Sequence, residues 1–563
     1  MQTRLFCKGF GLVIGLFLAS VLTLPTLRAE PKPVLTVSTA NPETLYQIAE
    51  KIAALTGTLD SFLEMTLPYK ELKGFNPKNP IVFVLHAEGD EFKDPILFLP
   101  ITELEKVEIP GFDLVLAQTK KESDGKYLLS SGAGAFTLTQ KKGYLIAVPE
   151  SSEMAIPDDP AKFIKGLETY SLGIRFDVEN TSAEAVQALL GFPRLMAGMQ
   201  YGAQATQTFD QIDQIVELVC KEARSIILGI TMNPKTGDTS LQGKTVAKKG
   251  SDTEKRNAFL KNAKTIFKAF SGDDNAVLSF STVDMGLKDM PNTREMTESS
   301  IDQLISGLLE QVEENAEEDE DVELAEAVAK IAKKIIMETL SLDKIDVSFS
   351  LGNNGTFALG TSLAEGQQLE TIGSLLLKRL EKISPEIMAD AMKKMKTNYE
   401  TVEGFQLSSF VFPLKEIAQE DEGFQKLFAD KSFYVFWGLK NDAFVLWGGF
   451  DPQSEKQFKT AIAATKTPAI VSESSGFFSL LQLGRLMKAF QIDQVEEAAP
   501  VVKTLLQAGA NAKITVSETI EKDSLNQQVF ISGKIWEVIS KIAAGDAASD
   551  SDGSSNPKVR ELK

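Results

Sequence analysis

Ile345-Asp346-Val347-Ser348-Phe349-Ser350-Leu351 alternates apolar and polar side chains without a break, and Gly352-Asn353-Asn354-Gly355 then turns the chain back into Phe357 to Thr361. Alternation with a period of two is the mark of a strand that keeps one apolar face. A Gly/Asn turn between two such runs makes an antiparallel hairpin. The sheet it belongs to is expected to have one packed face and one wet face.

Two further hairpins echo this one. Ile226 to Met232 turns at Asn233-Pro234-Lys235-Thr236-Gly237-Asp238 and returns through Leu241 to Ala247, and Ile514-Thr515-Val516 turns near Glu521-Lys522-Asp523 and returns through Val529-Phe530-Ile531. Each hairpin leads into a helical pattern. Leu369, Ile372, Leu376, Leu380 and Ile383 follow the quoted one, Trp536, Ile539 and Ile542 the last, and the stretch around Phe259, Ala263 and Phe267 the first. A second echo pairs Phe136 to Val148 with Phe433 to Leu446. The pattern predicts an α+β protein of two related halves, residues 30–268 and 269–544, each of antiparallel β-hairpins packed with amphipathic helices.

The ends read differently. Arg4 and Lys8 precede an apolar run from Phe10 to Leu24, and Leu27-Arg28-Ala29 stands before Glu30-Pro31, the layout of a signal peptide over residues 1–29. The run is shorter than the roughly twenty residues of a spanning helix, so cleavage is expected in preference to retention as an anchor. No other apolar run is long enough to span a membrane. Cleavage would take the net charge from −19 to −22 by removing Arg4, Lys8 and Arg28, and would leave Cys220 as the single thiol. Residues 545–563, rich in Asp and Ser, read as a disordered tail. The acidic segment 313–323, within the second half, reads as a solvated helix end or loop.

Composition narrows the chemistry. With 563 residues, 43% of them hydrophobic, the chain has material for large cores, but it holds one histidine (His86), two cysteines (Cys7 and Cys220) and three tryptophans. Those counts exclude a disulfide framework and a multi-histidine or cysteine-rich metal site. Seventy-eight acidic against 59 basic side chains disfavour nucleic acid as a partner. Cys220 sits in the apolar helical pattern Ile215-Val216-Glu217-Leu218-Val219-Cys220 and His86 ends a strand pattern. A structural thiol and an ordinary strand histidine are the expected readings, not a nucleophilic pair.

Gly132-Ala133-Gly134 lacks the third glycine and the helix of a dinucleotide fingerprint. Asp550-Ser551-Asp552-Gly553 lacks the remaining ligands of a calcium loop, with Ala548 and Lys558 where two would stand. No cofactor is expected. Carboxylate pairs are too numerous to single one out, and a carboxylate-dependent hydrolase stands only as an alternative.

One hairpin is apolar on both faces: Phe433-Tyr434-Val435-Phe436-Trp437 with Phe444-Val445-Leu446-Trp447. A covered core strand is the first reading. If the chain presents a surface to a hydrophobic ligand or partner, the expected residues are Tyr434, Phe436, Trp437 and Trp447.

The order of helices and hairpins behind a signal peptide, with Gly143-Tyr144-Leu145-Ile146-Ala147-Val148-Pro149-Glu150, resembles large exported proteins of unknown function found in planctomycete-type bacteria. The resemblance implies a periplasmic or extracellular location and carries over no functional residue. The resulting expectation is an exported, non-catalytic protein that binds or scaffolds in the bacterial cell envelope. A carrier of lipid or another hydrophobic ligand is the alternative, and the partner is an unknown protein or hydrophobic ligand.

Overall fold

A computed structural model describes residues 32–55, 74, 76, 78–88, 91–102, 104–106, 119–123, 125–131, 134–187, 203–315, 319–383, 392–412, 414, 432–470, 473–495, 498–521 and 523–543. The expected signal segment, Cys7, Gly132-Ala133, the centre of the acidic segment and the tail with Asp550 to Gly553 lie outside the described residues.

In chain order the strands are β1 (Lys32–Thr39), β2 (Val82–Glu88), β3 (Glu91–Leu99), β4 (Thr119–Ser123), β5 (Lys126–Ser131), β6 (Gly134–Lys141), β7 (Tyr144–Pro149), β8 (Leu172–Phe176), β9 (Ala223–Met232), β10 (Thr239–Ala247) and β11 (Lys264–Thr265). They continue with β12 (Ala276–Met285), β13 (Lys344–Gly352), β14 (Phe357–Ser362), β15 (Lys396–Val402), β16 (Phe405–Phe412), β17 (Phe433–Lys440), β18 (Ala443–Gly449), β19 (Ala469–Ile470), β20 (Glu473–Ser479), β21 (Lys513–Glu521) and β22 (Ser524–Ile531). The helices used below are α1 (Pro42–Leu55), α2 (Ala203–Glu222), α3 (Asp252–Leu260), α4 (Pro291–Asn315), α5 (Asp319–Leu340), α6 (Gln368–Ile383), α7 (Ser454–Ala464), α8 (Leu480–Ala489), α9 (Ala499–Gln507) and α10 (Gly533–Ala543).

Local chemistry sets many of these boundaries. Asn41 caps α1 by accepting the Thr44 amide at 2.9 Å, with Pro42 pre-set at the first helical position. Ser251 caps α3 by accepting the Glu254 amide. Lys142 and Gly143, both at positive φ, close the β6–β7 turn in the conformation that suits a right-handed strand twist.

Among the described residues twenty strands form one antiparallel sheet. Its neighbours run β4-β5-β6-β7-β3-β2-β1-β8-β9-β10-β22-β21-β20-β12-β13-β14-β18-β17-β16-β15. Among the described residues only β11 and β19 pair apart from it. The mixed α+β class agrees with the alternating patterns in the sequence. The hairpins β9–β10 and β21–β22 meet edge to edge through β10 and β22, whereas β13–β14 lies further out, beyond β12.

The faces of β12 and β13 reverse the ordinary rule. Ser279, Ser281, Asp346, Ser348 and Ser350 are buried, while Leu278 and Phe280 on the other face are exposed. The expectation of a wet polar face is therefore corrected: here the polar side is the sealed one. Backbone makes this possible. The segment after α3 crosses the serine face, and Ser279 and Ser350 donate to the carbonyls of Ser271 and Phe270. Ser281 and Ser348 hydroxyls pair at 2.9 Å. Asp346 accepts from the Thr265 hydroxyl at 2.7 Å and the Ile266 amide at 2.9 Å. Buried polar groups are tolerated when each finds a partner, and these do.

Apolar cores lie to either side of this region. Phe267, Phe270, Phe405, Phe436, Val445 and Phe458 pack under β14 to β18. Val82, Ile96, Phe98, Ile146 and Phe163 pack under β2, β3 and β7. Among the described residues no helix is long and apolar enough to cross a membrane.

Candidate functional site

A row of cross-strand neighbours runs unbroken over the seven central strands: Leu172, Ile230, Leu241, Val529, Val516, Gly476 and Phe280. At a strand spacing of about 4.8 Å it is roughly 29 Å long. Six of the seven side chains are apolar and the seventh is hydrogen, because Gly476 lies against the Phe280 ring. Leu228, Ile230, Leu241, Val516 and Phe280 are between 39% and 53% exposed, although their strands stand in the middle of the sheet. Together they floor an open trough with a cavity of about 670 Å³. A contiguous apolar strip on view is uncommon in a protein that has no use for it.

The back of β8 and β9 is closed. Tyr170 lies over the Gly173–Gly229 pair, so close that a Cβ on Gly229 would stand 2.3 Å from the ring. At that end the trough is thus a one-sided feature, with a firm floor.

The next row, two residues along each strand, changes character midway. Ile174 and Leu228 are apolar, Gly243 is bare, and Gln527, Glu518 and Ser474 are polar. At this polar corner α3 leans Arg256 over the sheet. Its Nε donates to both Asp284 oxygens at 2.7 and 2.9 Å, and Nη2 donates to Glu518 Oε1 at 3.0 Å. Gln527 Nε2 donates to Glu518 Oε2 at 2.8 Å.

The residues expected to form a hydrophobic surface divide between two faces. Phe436 is buried in the apolar core, and Tyr434 and Trp447 pack against that same cluster. Phe436 and Trp447 are direct cross-strand neighbours there. Trp437 points to the opposite face. It closes the continuation of the trough row, from Phe280 through Phe349, Leu359 and Leu446 to Trp437. Of the four, only Trp437 shares a face with the trough.

Four residues of the row, Ile230, Leu241, Val516 and Val529, lie in the hairpins expected from the sequence at 226–247 and 514–531, whereas Leu172, Gly476 and Phe280 lie outside them. Alternation identifies two faces but not which of them other elements cover.

His86 and Cys220 are not brought together, and no hydrogen bond joins them. His86, 2% exposed, has Nδ1 3.0 Å from the Asp94 carbonyl and its ring edge-on to Phe163. Burial holds its imidazole below the ordinary histidine range, against a smaller opposing pull from Asp94. Cys220, at the end of α2, has its thiol pushed up by burial, which disfavours the reactive thiolate. Among the described residues no group of three His, Cys, Asp or Glu side chains could hold a metal ion. Of the acidic segment, Glu320 and Asp321 begin α5 and are bridged by Lys382 and Arg379 of α6.

The histidine gives a pH prediction. Its pKa is depressed in the fold, so its neutral form is fully favourable above about 6.5, the unfolded value. As pH falls below that value the unfolded chain takes up the proton first, and stability declines by up to about 1.4 kcal/mol per pH unit until the folded group also titrates. Thermal melts between pH 7.5 and 5 should therefore fall more steeply for the natural chain than for His86→Leu. Parallel curves would refute the assignment.

Comparison with protein families, with curated proteins and with solved structures finds no match to this chain.

Proposed function

We propose that this chain is an exported protein that binds an elongated apolar ligand, a lipid chain, in the trough, and acts by holding it with no chemical transformation. The observation that carries this reading is the row from Leu172 to Phe280, apolar, half exposed and lining one open cavity. An apolar cleft with a few polar groups at one end is the usual form of a ligand site.

The reading includes two related halves, residues 30–268 and 269–544, with the trough at their junction. Its support is the connectivity. Outward from the β10–β22 seam one side runs β10, β9, β8, β1, β2, β3, β7, β6, β5, β4. The other runs β22, β21, β20, β12, β13, β14, β18, β17, β16, β15. Matched strand by strand, β1 corresponds to β12, β2–β3 to β13–β14, β4 through β7 to β15 through β18, and β8 through β10 to β20 through β22. A long helix follows β1 and β12 in each case, and a helix follows β10 and β22. Duplication explains an antiparallel seam between equivalent strands, which is the geometry of a two-fold axis. The helical follow-on of the first half is α3 and that of the second α10.

Native mass spectrometry of the protein extracted under mild conditions should show a bound lipid mass. After delipidation, a fluorescent dodecyl probe should bind saturably at one site per chain. A clean apo mass together with no saturable probe uptake would remove the reading.

A further inference from the structure

The trough does not keep one width along its length. Over β8, β9 and β10 its apolar floor is two rows wide, with Leu172, Ile230 and Leu241 beside Ile174, Leu228 and Gly243. Across the seam only the first row goes on apolar, through Val529, Val516 and Gly476 to Phe280.

Both flanks of that narrow stretch are taken. On one side the next row, Ile531, Ile514 and Phe478, packs under Leu480 of α8, Leu505 of α9 and Ile535 and Val538 of α10. On the other side the next row holds Gln527 and Glu518. Gln527 Nε2 donates to Glu518 Oε2 at 2.8 Å, and Arg256 of α3 donates to Oε1 at 3.0 Å. A second grip, on both oxygens of Asp284 in β12, fixes the guanidinium over this edge. The Glu518 side chain is only 13% exposed, so its carboxylate stands as a fixed border of the strip.

Alkyl chains packed at carbon contact distance are about 4–5 Å wide, and rows on one face of a strand lie about 6.8 Å apart. The narrow stretch therefore has the width of one chain, laid across the strands. A second chain alongside it would have apolar floor for about 10 Å, from β8 to β10. At about 1.25 Å per carbon–carbon bond a sixteen-carbon chain reaches about 19 Å, which brings the second chain onto Gln527 and Glu518. There it would strip water from an amide and a carboxylate and return no hydrogen bond.

From this we infer that the ligand is a lipid with one long chain, and that Gln527 and Glu518, the latter held by Arg256, are the residues that exclude a second. The inference rests on the lipid-binding reading above and names the class of lipid by its number of chains.

Two probes that carry the same fluorophore test it, one on a single sixteen-carbon chain and one on a pair of them. Both are offered to the purified protein from cyclodextrin complexes at equal concentration. The single-chain probe should bind saturably, and uptake of the two-chain probe should be less than a tenth as great. Glu518→Leu combined with Gln527→Leu extends the second apolar row beyond the seam and leaves Arg256 its bonds to Asp284. This double variant should raise uptake of the two-chain probe at least fivefold and keep the single-chain probe within threefold of its natural affinity. A melting curve verifies that the variant is folded, and the comparison of the two probes on the natural chain decides the matter alone if it is not. Two-chain uptake equal to or above single-chain uptake on the natural protein would overturn the single-chain inference and leave the trough as a lipid site. So would a folded double variant that takes up no more of the two-chain probe than the natural chain. Failure of the single-chain and the two-chain probe alike to bind the natural protein would overturn both readings.

Discussion

Gly243→Trp should weaken binding of a dodecyl probe at least tenfold and leave the melting temperature within about 2 °C of the natural chain. Gly243 stands on β10 beside the seam, between Leu228 and Gln527, where the apolar part of the second row gives way to the polar part. A Cβ added there would meet only Leu228 Cδ2, at 3.8 Å, an ordinary contact, and the backbone φ is not positive. The strand can therefore accept a side chain, and exchanging glycine for a β-former removes an entropic weakness. An indole at this point would fill the middle of the cavity and separate the apolar walls from the Arg256 corner. Gly243→Ala, which adds a single methyl group, should bind the probe within threefold of normal. Unchanged affinity in a folded Gly243→Trp protein would mean that the chain binds lipid elsewhere or not at all.

The largest expected loss of stability comes from a polar residue. Asp346 is 0% exposed and accepts from the Thr265 hydroxyl, the Ile266 amide and Lys344 Nζ, the last at 3.3 Å. Asp346→Ala would leave the buried Thr265 hydroxyl and the Ile266 amide without acceptors and Lys344 with only the Lys264 carbonyl, a cost of about 3 kcal/mol. Phe280→Ser, on the other face of the neighbouring strand, should cost less than about 1 kcal/mol, because its ring is already 39% in water. The usual ranking of polar and apolar substitutions is thus inverted within one strand pair. Urea denaturation would register it as a clear fall in midpoint for Asp346→Ala and a small one for Phe280→Ser. The opposite order would mean that the serine face is the wet one.

That inversion locates the limit of sequence reading for this chain. Ile345 to Leu351 announces a strand because alternation is written into successive residues, and the Asn/Gly turn after it announces the return strand. In the same way Asn41-Pro42 announces the start of α1. Which side of a strand faces a neighbour depends on residues distant in the chain. Thr265 and Ile266 satisfy Asp346 from about 80 positions away. The nominated aromatic residues divide for a related reason. Alternation alone places Phe436 and Trp437 on opposite faces, but it does not reveal that Phe436 meets Phe458 of α7 while Trp437 ends the trough row.

The trough was the least legible feature. Its floor is assembled from β8, β9 and β10 on one side and β22, β21, β20 and β12 on the other. Leu241 and Val529, the pair at its centre, are 288 residues apart. Arg256 and Glu518 likewise meet across 262 positions.

Sequence by itself determined the mixed α+β class, many of the strands and helices, and the scarcity of imidazole and thiol, since propensity, periodicity and composition are local or additive properties. Tertiary structure alone decided which faces are sealed, which apolar row stays open and where one guanidinium meets two carboxylates. Those outcomes depend on the pairing of remote strands, and an alternating pattern satisfies either facing equally until a neighbour covers one side.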